Sequence, residues 1–152
     1  MFGTAKSETT LIAPGLRGFY DSVGDIAFTL VRIAIGYIIF MHGWVKYKGG
    51  AAGVAAFMAK SGLEPGLAFA YAAMFLETIG AICIVIGLFT RFFAAALAIE
   101  MALALIFVHG PKGFAAGQGG YEYVLLLGIV FFFIAIRGGG PYSVDRLIGK
   151  EL

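Results

Sequence analysis

Between Phe69 and Phe89 the chain runs FAYAAMFLETIGAICIVIGLF, 21 residues that are apolar almost throughout and end at Thr90-Arg91. At 1.5 Å per residue such a helix spans roughly 30 Å, the thickness of a bilayer's hydrocarbon core. One ionisable residue, Glu77, sits near its middle. A carboxylate at that depth costs about 2.5–3.5 kcal/mol on insertion scales unless a partner offsets it. The remainder of the chain must therefore supply a protein interior for Glu77.

The composition agrees with a membrane setting. Of 152 residues, 61% are hydrophobic and only 13% charged, with a mean hydropathy of +0.93. Soluble domains are nearer half apolar and a quarter charged. The expected fold is all-α, a polytopic four-transmembrane-helix bundle embedded in a lipid bilayer. A net charge of +2, spread thinly, argues against nucleic acid as a partner. Cys83 is the single cysteine, so no internal disulfide forms. No signal-peptide core precedes the first span, which is expected to act as its own insertion signal.

Residues 1–25 read as an N-terminal cytoplasmic arm, in which the stretch from Leu11 to Val23 forms a short interfacial helix. The bundle then covers 26–137, with spans at about 26–44, 67–89, 92–109 and 121–136. Asp25 is expected to cap the first span and Gly43 to stop it. In the 20-residue connection that follows, AAGVAAFMAK suits a short interfacial or re-entrant helix, and Pro65 suits the first turn of span two. GLFTR makes a tight turn into span three. A glycine-rich connection, GPKGFAAGQGG, precedes span four. Residues 138–152 form a cytoplasmic tail, with SVDRLIGK as a brief surface helix. Outside the spans, six Lys and Arg fall on the terminal side and four on the other. That bias places both termini in the cytoplasm. Ile39-Phe40-Met41-His42-Gly43 with Lys46 echoes Ile106-Phe107-Val108-His109-Gly110 with Lys112, as two duplicated helical hairpins would.

Helical rise sorts the polar residues of the spans into layers. Arg32, Glu77 and Glu100 form a mid-membrane layer. His42, His109 and Glu122 lie near the outer boundary with Trp44, Tyr47, Tyr121 and Tyr123. In a purely structural reading Arg32 pairs with one glutamate and locks the helices in register. One arginine cannot neutralise two carboxylates, however, so a functional reading has Glu77, Glu100 and Arg32 holding and relaying protons. The histidines are either helix-end residues favoured by the dipole or ligand contacts. A further alternative has His42 and His109 binding haem or, with Glu122, a metal ion, although no spaced metal motif is present. The loop glycines are not a phosphate loop, because no strand precedes them and no GK[ST] follows.

Four segments together resemble the DoxX family of bacterial and archaeal membrane proteins: LVRIAIGYIIFMHGWVK, LETIGAICIVIGLFTR, FVHGPKGF with GYEYVLLL, and PYSVDRLIG. The resemblance runs from about Phe28 to Gly149. It implies a four-helix membrane bundle in the bacterial or archaeal cytoplasmic (inner) membrane and a role near quinone-linked redox chemistry. Its matching polar positions are Arg32, His42, Glu77, His109 and Glu122, with Glu100 where relatives often carry an acid. The leading expectation is a membrane subunit of a quinone-linked oxidoreductase system. It would bind a quinone or similar lipophilic redox molecule through His42, His109, Glu122, Trp44 and Tyr121. The sequence carries no CxxC and no nucleotide fingerprint, so electrons would come from a partner redox protein. The alternatives are a non-catalytic anchor or assembly partner of a larger redox complex, and a small-solute or proton transporter, which would have to act as a homo-oligomer.

Overall fold

The computed structural model describes residues 10–151. All but the last residue of the polar stretch 1–10 lies outside the described residues. The described chain is all-helical, without a strand. Three helices are long and apolar enough to cross a membrane.

The first helix, α1, runs unbroken from Arg17 to Gly49, preceded by a 3-10 turn at Pro14–Leu16. This corrects the expectation of an interfacial helix followed by a separate span at 26–44. Polar side chains such as Arg17, Asp21 and Asp25 do not interrupt a helix's own hydrogen bonds, and no proline intervenes. Asp25 is not a cap but lies within the helix, where it pairs with Arg137 at 3.1 Å. Gly43 does not end the helix, which continues for six more residues to Gly49. At about 50 Å, α1 is longer than a hydrocarbon core is thick.

The connection contains α2, Ala51–Lys60, over the stretch read as a short helix. It packs on the first turn of α3, Gly66–Phe75. Pro65 sits just ahead of that turn rather than in it. A π-helical turn, Leu76–Gly80, joins α3 to α4, Ala81–Ile86. These three pieces make one rod from Gly66 to Ile86. The next rod begins with α5, Thr90–Leu103, continues through a second π turn, Ala104–His109, and ends in a 3-10 turn at Gly110–Lys112. Helix α6, Glu122–Arg137, returns antiparallel along α5. With 16 residues it is about 24 Å long, short of a full hydrocarbon thickness. A five-residue α7, Val144–Ile148, closes the tail.

Phe28, Ile35, Ile39, Ile84, Leu97, Leu127, Phe131 and Ile134 form the main core between α1, α4, α5 and α6. A second, smaller cluster of Met58, Leu63 and Ala73 belongs to α2 and α3. Large apolar side chains such as Leu30, Ile82, Ile99, Ile129, Phe132 and Ile136 point outward. In water that surface would be untenable; in lipid it is the solvated one.

The terminal end of the bundle is tied by helix-end chemistry. Arg32 is 1% exposed. Its Nη1 donates to the carbonyls of Ile84 (2.5 Å) and Val85 (2.8 Å), and its Nη2 to Tyr142 (2.6 Å). It thus serves the free carbonyls at the end of α4. Asp145 accepts from the amides of Phe89 (2.7 Å) and Thr90 (2.9 Å), capping α5 from the tail. Gly87, at φ +73, has no room for a side chain, since a Cβ there would lie 2.5 Å from that of Ser143. The expected surface helix is therefore anchored inward at Asp145. Replacing Asp145 by Ala removes the acceptor for two amides and should lower stability by about 2–3 kcal/mol, with Asp145→Asn losing less. Thermal unfolding of the detergent-purified protein by circular dichroism measures this, and unchanged midpoints would show the tail to be dispensable.

Candidate functional site

On α1, Ile39, His42 and Lys46 follow one another at helical spacing and face the same way. Gly43, between them, lies against the second rod. A Cβ at that position would be 2.5 Å from the carbonyl carbon of Glu77, so only glycine permits this approach. The crossing sets Lys46 over Glu77. Its Nζ donates to Glu77 Oε1 in a salt bridge, and Glu77 is 3% exposed.

Glu77 belongs to the first π turn, Leu76–Gly80. The second π turn ends at His109. Such turns are rare, yet they are frequent at functional sites. Glu100 projects from α5 towards the same place, with Glu77 and Lys46 as its charged neighbours. Both carboxyl groups keep a buried oxygen, Oε2, with no donor from any third residue.

A cavity of about 410 Å³ opens between the two apolar clusters. Its walls are mainly apolar, from Ile39, Met58, Leu63, Leu76, Met101 and Leu127. Its polar lining consists of Glu77, Glu100, Lys46, His42, His109, Lys112 and Tyr123. His109 Nδ1 lies 2.7 Å from the carbonyl of Gly119. Because a carbonyl only accepts, that nitrogen carries the hydrogen and Nε2 of the neutral ring has a free lone pair.

Of the residues singled out in the sequence, Glu77, Glu100, His42 and His109 line this cavity and the others do not. Arg32 pairs with neither glutamate. It lies ten residues before His42 on α1, roughly 15 Å along the axis, and its Nη1 and Nη2 bind backbone carbonyls. Glu122 Oε2 accepts from the Ala116 amide at 3.1 Å, pinning the glycine-rich loop. Trp44 stacks between Phe40 and Tyr47 outside the cavity. Tyr121 packs edge-on against Phe114, with ring centroids 5.6 Å apart. Among the described residues no three His, Cys, Asp or Glu side chains are grouped to hold a metal ion, and the set His42, His109 and Glu122 does not converge. Lys46, Lys112 and Tyr123 were not singled out as contacts. The signal for the lysines was present in the echo of His-Gly followed by Lys, and in the i, i+4 spacing of His42 and Lys46. Reading Gly43 as a stop hid it.

The DoxX family model matches residues 27–110, a segment that holds both glutamates, both histidines and Lys46. The chain belongs to the DoxX family. Among its relatives is a Bacillus subtilis protein named putative oxidoreductase CatD, 30% identical over 126 residues, covering 83% of this chain and 90% of that protein. Another is inner membrane protein YqjF of Escherichia coli, 31% identical over 129 residues, covering 84% of this chain and 95% of that protein. No solved structure matches the chain significantly. Lys112 and Tyr123 fall beyond the segment that the DoxX model matches.

Removing Lys46 leaves a buried carboxylate without its counter-charge. Lys46→Ala should therefore cost about 2–4 kcal/mol of stability, and adding Glu77→Gln should restore most of it. Thermal midpoints of the two single variants and the double variant measure this coupling, and strictly additive losses would show that the pair contributes nothing.

Proposed function

We propose that this DoxX protein is a membrane subunit of a quinone-linked oxidoreductase system, and that the cavity holds a quinone or similar lipophilic redox molecule. The observation that carries this reading is a mainly apolar cavity with two acids, one of them salt-bridged to Lys46, along its lining. A ring with an isoprenoid or alkyl tail suits the apolar walls, and its two oxygens suit the polar groups.

Interconversion of a quinone and its quinol moves two electrons and two protons. The residues of this chain supply the proton half. Lys46 holds Glu77 by one oxygen and leaves the other free. Glu100, beside it, offers a second oxygen. His109 offers Nε2, fixed by its bond to Gly119. Positioned acids and bases of this kind take up or deliver protons at the ring oxygens. The electrons travel to or from a partner redox protein. Arg32, expected to share in the relay, belongs to the scaffold, and Glu122, Trp44 and Tyr121 have no part in the pocket.

We place the protein in the cytoplasmic membrane, with α6 as a short fourth crossing and the Asp145 end in the cytoplasm. The cavity then faces the outer leaflet. The excess of Lys and Arg at the terminal end supports this orientation, and the name of the Escherichia coli relative supports the location.

A decyl-substituted benzoquinone added at a hundred times its Kd should stabilise the purified protein by about 2.7 kcal/mol. Ala72 lines the cavity at an exposed position, and Ala72→Phe, which narrows it, should reduce the shift while leaving the unliganded midpoint near its original value. Thermal unfolding with and without the quinone tests both statements, and equal shifts in the two proteins would locate binding elsewhere.

A further inference from the structure

The buried hydrogen-bonding groups of the cavity are unequal in kind. Glu77 Oε2 and Glu100 Oε2 are both buried and both lack a donor from any third residue. His109, which is half-buried, adds a third acceptor at Nε2, because Nδ1 is committed to the Gly119 carbonyl. A single proton shared between the two carboxyl groups would still leave acceptor lone pairs in excess. The donors are differently placed. Lys46 is spent in part on Glu77, and its side chain is 30% exposed. His42, Lys112 and Tyr123 sit at exposed positions around the cavity. The unmet demand inside is for hydrogen-bond donors.

An oxidised quinone ring presents two carbonyls, which set acceptor against acceptor. Its reduced form presents two O–H groups, which meet these oxygens and nitrogen as donors. A site with two buried acceptor oxygens rejects an analogue that lacks the matching hydroxyl, since those acceptors would then stay unpaired. We infer that the cavity selects the dihydroxy form of a lipophilic two-oxygen ring over its dicarbonyl form, through Glu77, Glu100 and His109. This inference rests on reading the cavity as a quinone-class site. It concerns binding alone and requires no electron transfer within the chain. By linkage, tighter binding of the reduced form raises the potential of the bound couple, by about 30 mV for each tenfold preference in a two-electron couple.

The test compares three ligands on the full-length, detergent-purified protein under anaerobic conditions. They are a decyl-substituted benzoquinone, the corresponding hydroquinone, and the dimethyl ether of that hydroquinone, titrated calorimetrically. The hydroquinone should bind about tenfold or more tightly than either of the others. In Glu100→Gln an amide N–H replaces one acceptor, so the quinone should gain and the hydroquinone lose, bringing their constants together. Equal affinities in the wild-type protein, or tighter binding of the quinone, would overturn the inference and leave the proposed quinone site standing. A preference that survives Glu100→Gln unchanged would also overturn it. Absence of binding by the quinone and the hydroquinone alike would remove both readings.

Discussion

A carboxylate cannot be left in hydrocarbon without a counter-charge, and the arrangement of this bundle follows from where that counter-charge comes from. Glu77 finds it in Lys46, a residue of the neighbouring helix. Desolvating such a pair costs several kcal/mol per ion, so the pair adds little net stability, yet breaking it leaves a bare charge. Its effect is to fix register. Gly43 against the Glu77 backbone and Lys46 over the Glu77 carboxylate are neighbouring contacts on α1, and they allow the two rods only one alignment. The same pairing leaves Glu100 as an acid beside an already neutralised pair.

The polar groups of the bundle divide into two sets with different tasks. At the terminal end, Arg32 and Asp145 spend themselves on backbone groups at the junction of α4 and α5. This set is structural. Towards the other end, Glu77 and Glu100 keep oxygens with no donor from any third residue, facing a cavity bounded by two π turns. Separation along the membrane normal keeps the arginine's charge from quenching the acids. A bundle in which Arg32 neutralised Glu77, as its depth in the sequence invites, would have no need of Lys46 and would hold no such site.

Much of this was legible in the sequence, for identifiable reasons. Apolar length revealed the Gly66–Ile86 rod, alanine and apolar content revealed α2, and the GLFTR glycine revealed the turn. The burial of Glu77 followed from the cost of exposing a carboxylate to lipid. Other features were hidden because their causes are not local. Arg17, Asp21 and Asp25 looked like a break before a span, but a helix tolerates them. Gly43 has the composition of a stop and the function of a close contact, and only the neighbouring helix distinguishes the two. Arg32 was expected to seek an acidic side chain, whereas its partners are carbonyls, which every residue carries and no sequence pattern marks. Asp145 looked like part of a surface helix because its partners lie 55 and 56 residues earlier. The π turns have no signature in the residues that form them.

The carboxylate of Asp145 has a bearing on how the protein is made. A ribosome delivers the helices in order, and the turn between the second and third spans enters the membrane long before the tail emerges. The first amides of α5 therefore await an acceptor that is translated 55 residues later. A hairpin made early is completed by a segment made later, so a nascent protein cut short before that point would carry an unfinished joint at one end of the bundle.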